Sequence, residues 1–254
     1  MISKNRIKFI KALGIKKNRD AQQLFVAEGA KTVFELLQTF PCEYIAATPD
    51  IQSALTAYPQ IPTDSITQDE LERISFLKTP HQILAIFRKP NPVNVALQTF
   101  ATDNLCLALD QIQDPGNMGT IIRLADWFGI EHIFCSHSSA DAFSPKTVQA
   151  TMGALARVQI HYTGIEGLLH SLSPEIPVYG TFLDGENIYH QQLSSNGIIV
   201  MGNEGNGISD SVATHITNRL YIPNFPENRQ TSESLNVAIA TSIVCAEFRR
   251  RYLP

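Results

Sequence analysis

Short apolar runs and helical-period segments follow one another along almost the whole of this 254-residue chain, and no other feature narrows its fold as far. "LFVAEGAKTVFELLQ" reads as a strand, a turn at Gly29 and a helix. "EYIAAT" and "QILAIFRKP" read as strands, and Thr67 with Glu70 forms a capping box ahead of "LERISFL". Further on, "NLCLALDQI", a turn at "QDPGN", a helix "MGTIIRLADWF" stopped by Gly129, and "HIFCS" make a βαβ unit. Helical "PKTVQATMGAL", "IEGLLHSL", "DSVATHI" and "SLNVAIATSIVCAEFRR" then alternate with strand-like "RVQIHYT", "PVYGTFL", "GIIVM" and "RLYIP". The chain is expected to be α/β.

"KPNPVNVALQTFATDN", roughly 89–104, carries two prolines and several polar residues. It is expected to separate a domain at 1–95 from a second at 96–254. The charge changes at the same place. Residues 1–100 hold 12 Lys and Arg against 9 Asp and Glu, a net +3, whereas the rest hold 8 against 15, a net −7. The total of −4 excludes a globally basic nucleic-acid binder. Most of the N-terminal excess lies in Lys4, Arg6, Lys8, Lys11, Lys16, Lys17 and Arg19, a run that no acidic residue interrupts. Such a run is either the solvated face of a first helix or a patch that neutralises phosphates.

Cys42, Cys106, Cys135 and Cys245 show no CxxC spacing and no partnering His, so neither a metal site nor a redox pair is expected. No apolar stretch approaches the ~18 residues of a membrane span. The N-terminus has no apolar signal-peptide core. Together with thiols that read as reduced, this leads us to expect a cytoplasmic protein with no membrane partner.

"GIIVMGNEGNGIS", residues 197–209, couples a buried strand to a loop holding Gly202, Gly205 and Gly207. A phosphate-binding Walker loop needs Lys and Ser or Thr after its last glycine, and Gly207 is followed by Ile208. A dinucleotide fingerprint has its glycines in the order G-x-G-x-x-G within the first βα turn, and here the order and the place both differ. Glu204, amid the glycines, repels phosphate but tolerates a cofactor that is cationic and phosphate-free, and S-adenosylmethionine is such a molecule. Glycines admit close approach of backbone groups to an adenosine. The competing reading is a plain turn with an exposed glutamate.

In "DQIQDPGNMGTIIRLADWFG", residues 110–129, Asn117 suits the N-cap of the following helix. Arg123 interrupts an otherwise largely apolar helix, so it is exposed, paired with Asp126 at i+3, or aimed at a ligand such as an RNA phosphate. In "YIPNFPENRQTSESLNVAIA", Ser234 and Asn236 both stand at the entrance of an apolar helix. Capping accounts for one of them and not easily for both.

Taken together, these three stretches resemble the SpoU (TrmH-type) family of RNA ribose 2′-O-methyltransferases. The family's N-x-G-x-I-x-R motif is matched by Asn117 to Arg123, its Gly-x-Glu-Gly-x-Gly loop by "MGNEGNGIS", and its Ile-Pro followed by Ser-Leu-Asn-Val by Ile222-Pro223 and Ser234 to Val237. Order and spacing agree over residues 105–250. The gap from Pro223 to Ser234 is longer than the usual pattern, and Asn224-Phe225-Pro226 stands where Met-x-Gly is usual. "FVAEGAKTVFELL" and "TPHQILAIF" resemble the family's small α/β RNA-binding module, which is related to ribosomal proteins.

The resemblance implies a C-terminal parallel-sheet domain with a trefoil knot, an exception to the usual unknotted rule. It implies a homodimer with the active site near the subunit interface, S-adenosylmethionine as cofactor, and methylation of a ribose 2′-hydroxyl in structured RNA. A separate N-terminal module favours ribosomal RNA, although members acting on tRNA exist. By similarity, Asn117, Arg123, Glu204, Ser234 and Asn236 carry catalysis. Gly202, Gly207, Ile222 and Leu235 contact the cofactor, with Thr181, at the end of the "PVYGTF" strand, a further candidate. A guanidinium stays protonated near neutral pH, so Arg123 is expected to hold the target phosphate and not to act as a base. The alternative in another class is a non-catalytic RNA-binding or ribosome-assembly factor. An oxidoreductase using NAD at the glycine loop is a third reading.

Overall fold

The computed structural model describes residues 2–91, 97–226 and 234–252. The chain divides into two compact units: residues 1–91 with 141–156, and residues 92–140 with 157–254.

The first unit is built from α1 (Lys4–Ala12), α2 (Lys16–Gln22), β1 (Leu24–Glu28), α3 (Ala30–Leu36), β2 (Cys42–Ala47), α4 (Gln52–Leu55), β3 (Thr63–Ser65), α5 (Gln68–Ile74) and β4 (Ile83–Arg88). Its sheet has the order β1-β4-β2-β3, antiparallel except for the β2–β3 pair. Alternate residues face opposite sides of a strand, and here both sides are covered. Val26, Tyr44, Ala46, Leu84 and Ile86 pack with Ile10 of α1, with Leu13 just past its end, and with Leu71 and Ile74 of α5. The α5 N-terminus carries the expected capping box: Glu70 donates its N–H to Thr67 Oγ1 at 3.3 Å, and Thr67 returns an N–H to Glu70 Oε2 at 3.1 Å. On the other side Phe25 packs against Phe40, Phe87 and Phe143, with ring centroids 5.1–5.6 Å apart.

Phe143 belongs to the segment 141–156, which carries the helix Pro145–Thr151 and packs with the first unit although it comes much later in the chain. Arg19 anchors it. The residue is 2 % exposed, and its guanidinium donates to Asp141 Oδ2 at 2.6 and 3.1 Å and gives a third bond to the Leu13 carbonyl at 2.7 Å. Arg19 therefore leaves the basic run as a buried structural cation. Lys11 donates to the Ser75 carbonyl, and Arg6 lies 4.3 Å from the centre of the Tyr44 ring. Lys4, Lys8, Lys16 and Lys17 remain exposed.

The second unit contains α6 (Leu97–Asp103), β5 (Leu105–Leu109), α7 (Pro115–Trp127), β6 (His132–Cys135), β7 (Gln159–Tyr162), α9 (Ile165–His170), β8 (Val178–Asn187), β9 (Gly197–Met201), α10 (Asp210–Ala213), β10 (Asn218–Tyr221) and α11 (Val237–Arg250); α8 (Pro145–Thr151) lies in the first unit. The stretch 89–104, read as a connector, thus includes a helix. All six strands are parallel, in the order β10-β8-β9-β5-β6-β7. β5 and β9 are buried along their whole length, as central parallel strands with helices on both faces must be. Cys106, Ala108, Ile198 and Val200 form one face with Ile165 and Leu169 of α9 and Val212 of α10. α7 and α11 pack together. Phe248 of α11 meets Tyr179 of β8 edge to face at 4.8 Å.

From β5 the chain runs outward through β6 and β7, then returns on the other side of β5 as β8 and β9. In such a sheet the loops at the carboxyl ends of strands beside the reversal form a ready crevice. The loops after β5, β8, β9 and β10 all leave from those ends.

Candidate active site

The loop after β9 is closed by its own backbone. Asn203 and Gly207 exchange N–H to carbonyl bonds of 2.8 Å, and Asn203 Oδ1 accepts from the N–H groups of Gly205 and Asn206 at 2.9 and 3.1 Å. Gly207 takes a φ of +68°, a conformation that favours glycine. A Cβ at Gly202 would overlap the backbone of Gly207 and Ile208, so only glycine lets the chain fold back on itself there. Three bonds pin this loop to the end of β5. Asn203 Nδ2 donates to the Gln111 carbonyl at 2.8 Å, and buried Asp110 accepts from the Ser209 N–H and hydroxyl at 2.8 and 2.6 Å.

Glu204 stands at the exposed tip and joins three loops. Its Oε1 accepts from Asn117 Nδ2 at 2.6 Å, from Asn236 Nδ2 at 2.7 Å and from the Val237 N–H at 3.3 Å. Asn236 Nδ2 also lies 3.1 Å from Asn117 Oδ1, and Ser234 Oγ donates to the Glu204 carbonyl at 3.4 Å. Residues 117, 204 and 236, remote in the chain, meet at one carboxylate oxygen. Bonds to an ionised acceptor are stronger than neutral ones.

Two local readings need correcting. Asn117 is not the cap of α7. Asp114 is: its Oδ1 accepts the Asn117 N–H at 2.9 Å, and Pro115 occupies the first helical position. Proline's fixed φ suits that position, so the helix starts earlier than Met118, at Pro115, and the Asn117 side chain is released to reach Glu204. The last helix begins at Val237, and Asn236 is its cap, with Oδ1 accepting from Ala238 and Ile239 at 3.0 and 3.3 Å. Its Oδ1 caps while its Nδ2 binds Glu204, so one side chain does both jobs.

Arg123 is not brought into this cluster. It follows Asn117 by six residues on α7, which at about 100° per residue turns it about 120° away from Asn117. It is exposed, and Asp126 is held by Arg157 at 2.8 and 2.9 Å. Among the described residues none bonds the Arg123 guanidinium. Trp127, one turn further on, is 83 % exposed.

The candidate cofactor residues line neighbouring strand ends. Gly180 pairs with Val200, which puts half-buried Thr181 beside the last residues of β9, just before buried Gly202. Ile222 follows β10, whose register against β8 shifts between Arg219 and Leu220, and Leu235 is exposed beside Asn236. A cleft of about 510 Å³ adjoins Ile222, bounded by Asn187, Tyr189, Pro223, Asn224 and Phe225. Of the 224–233 loop, residues 227–233 lie outside the described residues. Asp110, Asp114 and Asn203 were missed in the sequence. An aspartate directly before Pro115 was the available signal for one of them, and the other two act across strands.

A parallel α/β sheet carries here a glycine loop with a carboxylate and no cation, tied to two asparagine-bearing loops at the strand ends, an arrangement that suits a nucleoside cofactor without phosphates. The chain belongs to the SpoU rRNA methylase family, whose model matches residues 104–246. An MRM3-like substrate binding domain matches residues 4–85. The chain is 43% identical to a solved TrmH-family structure from Porphyromonas gingivalis, with a TM-score of 0.86 over 99% of each chain. It is 28% identical to an AdoMet-bound rRNA methyltransferase from Sinorhizobium meliloti, with a TM-score of 0.83 over 100% of this chain and 98% of that one. It is also 28% identical, over 96% of each, to the Bacillus subtilis 23S rRNA (guanosine(2553)-2'-O)-methyltransferase RlmP.

Proposed function

We propose that this protein transfers the methyl group of S-adenosylmethionine to a ribose 2′-hydroxyl of ribosomal RNA. The observation that carries the reading is the meeting of Asn117, Glu204 and Asn236, one from each matched motif, at the carboxyl ends of the sheet. The glycine loop fits the cofactor's chemistry: it offers bare backbone at Gly205 and Gly207 and no cation for a phosphate. The AdoMet-bound relative supports the same choice.

When bound, the cofactor supplies a methyl group on a sulfonium. Gly202, Gly207, Thr181, Ile222 and Leu235 hold its adenosine, largely through backbone groups. Asn117, Glu204, Ser234 and Asn236 keep the three loops in register, so that the reacting groups are oriented before they meet. Arg123, always charged, grips the phosphate beside the target ribose and eases loss of the hydroxyl proton electrostatically.

Residues 1–95 serve as an RNA-binding module related to ribosomal proteins, and 96–254 as the methyltransferase domain, its C-terminal segment threaded in a trefoil knot. Two chains form a homodimer with the active site near the interface. Exposed Trp127, Leu235 and Ile239 on and beside the packed α7 and α11 support this face. Among the described residues no helix is long and apolar enough to cross a membrane, and we place the protein in the cytoplasm. Calorimetric titration with S-adenosylhomocysteine tests the reading: one site per chain is expected, and a folded protein with no binding would defeat it.

A further inference from the structure

A second cleft lies in the first unit. A cleft of about 800 Å³ opens between the 3-10 turn Pro49–Ile51 before α4, the start of α5 and the loop leading into β4. This is within the roughly 300–1,000 Å³ usual for small-ligand sites. The loop is the "TPHQ" stretch, residues 79–82, and nothing in the methyl-transfer site uses it.

Gln82 at its rim has a φ of +61°, uncommon for any residue but glycine. Its neighbours hold it there. Its carbonyl accepts from the Thr48 N–H at 2.8 Å and from Thr48 Oγ1 at 3.2 Å, and its Nε2 donates to Asp50 Oδ2 at 2.9 Å. The Ile83 N–H closes a tight turn onto the His81 carbonyl at 2.6 Å. Backbone held this way against its preference is often part of a ligand clamp. The one Thr48 hydroxyl proton is shared between the Gln82 carbonyl and Asp50 Oδ1. These bonds, from Thr48 first and then Gln82, hold the Asp50 carboxyl below the ordinary carboxylate range.

The lining holds the Asp50 and Glu72 carboxylates, the Lys78 ammonium and the His81 imidazole, and Gln68 Nε2 donates to Glu72 Oε1 at 3.4 Å. Two carboxylates against one ammonium disfavour a phosphate and favour a group rich in donors, which in an RNA substrate is a base. An ionised carboxylate has about four lone-pair positions. Thr48 and Gln82 take two at Asp50, which leaves about two. Guanine alone among the four bases presents two adjacent donors, N1–H and the 2-amino group, on its Watson–Crick edge, and its O6 and N7 accept from a lysine. Adenine and cytosine would each set a ring-nitrogen acceptor against the carboxylate. Sequence-specific proteins read RNA in this manner, from unpaired bases splayed out of a strand.

We propose that this cleft binds an unpaired guanine base of the RNA substrate, with Asp50 reading the Watson–Crick edge and Lys78 the opposite edge. The proposal rests on the RNA-substrate reading above and names a contact remote in sequence from the methyl-transfer loops.

The test is fluorescence anisotropy of the full-length chain with three labelled single-stranded heptaribonucleotides. Each is uridine except for a central guanosine, inosine or adenosine. The guanosine probe should bind about tenfold more tightly than the adenosine probe. Inosine, which lacks only the 2-amino donor, should fall between them. Asp50→Asn and Lys78→Ala should lose the preference while their melting temperature and affinity for S-adenosylhomocysteine stay unchanged. Equal binding of the three probes, no binding of the guanosine probe, or a preference that survives Asp50→Asn would overturn the proposal. The probe series needs no variant, so a misfolded mutant cannot obscure the result. Methyl transfer to ribosomal RNA by the unaltered protein reports separately on the activity. Transfer without guanine preference removes the cleft proposal alone, and guanine preference without transfer removes the activity reading alone.

Discussion

Replacing Glu204 by Gln keeps the shape of the side chain and removes its charge. The Glu204 Oε1 atom accepts two short bonds, from Asn117 and Asn236, and a longer one from the Val237 N–H. A glutamine with its carbonyl in the same place retains all three but without charge assistance, which roughly halves the strength of each. A bond to a charged group contributes about 1.5–3 kcal/mol net and a neutral one about 0.5–1.5. Because the tip is exposed, water screens part of that difference. We therefore assign each short bond a loss of about 0.5–1 kcal/mol, for a total of about 1–2 kcal/mol. Global stability should hardly change, since the bonds join surface loops. The loss should appear where the loops must act together, as S-adenosylhomocysteine affinity weakened about 5–30-fold. Calorimetric titration of the wild type, Glu204→Gln and Asn236→Asp measures it. Asn236→Asp should be the weaker binder of the two, because it sets a second carboxylate against the first. An unchanged Kd in Glu204→Gln would refute the reasoning, since the charged tie would then contribute nothing to the pocket.

The other expectations concern separate parts of the molecule. Gly202→Ala should abolish cofactor binding because its Cβ meets backbone, whereas Gly205→Ala, whose nearest neighbour would be Asn203 Oδ1 at 3.5 Å, should bind nearly as the wild type does in the same titration. Arg19→Ala strands the Asp141 carboxylate in a buried site and should cost about 3–5 kcal/mol in urea unfolding. His132 and His161 lie 2.9 Å apart, nitrogen to nitrogen, and burial holds both below the ordinary imidazole range, reinforced at His161 by the charge of His132. Their stabilising effect is therefore full above about pH 6.5, the unfolded value, and is lost as pH falls through the lower folded values. Melting curves from pH 8 to 5 should show that acid slope, and His161→Phe should flatten it. Arg123→Lys should lower methyl transfer while leaving S-adenosylhomocysteine affinity intact; nearly full turnover would exclude a bidentate phosphate grip.

How far the fold can be read from the chain depends on the range of the physics involved. The Thr67–Glu70 capping box spans three residues, and it forms as read. The glycine loop after "GIIVM" is likewise local, since Gly202 and Gly207 are set by the tightness of one turn. Asn117 misleads because Asp114 and Asn117 are both competent caps, and the choice turns on Pro115 at the first helical position. Arg19 sits among exposed lysines in the sequence, but its partner Asp141 is 122 residues away. The same distance hides the packing of 141–156 with the first unit, because nothing within α8 states which sheet it covers. Glu204 is the instructive residue. Electrostatics explained why a carboxylate is tolerated near a cationic cofactor. Its bonds to Asn117 and Asn236 add a structural use that no single loop reveals.

The central claim, methylation of a ribose 2′-hydroxyl, is tested most directly by incubating the protein with labelled S-adenosylmethionine and ribosomal RNA that lacks the modification, then digesting the RNA with alkali. A 2′-O-methyl group blocks cleavage of the adjoining phosphodiester, so the account predicts label in alkali-resistant dinucleotides. Label released wholly in mononucleotides would place the methyl on a base and contradict it, as would the absence of incorporation by a protein that binds S-adenosylhomocysteine.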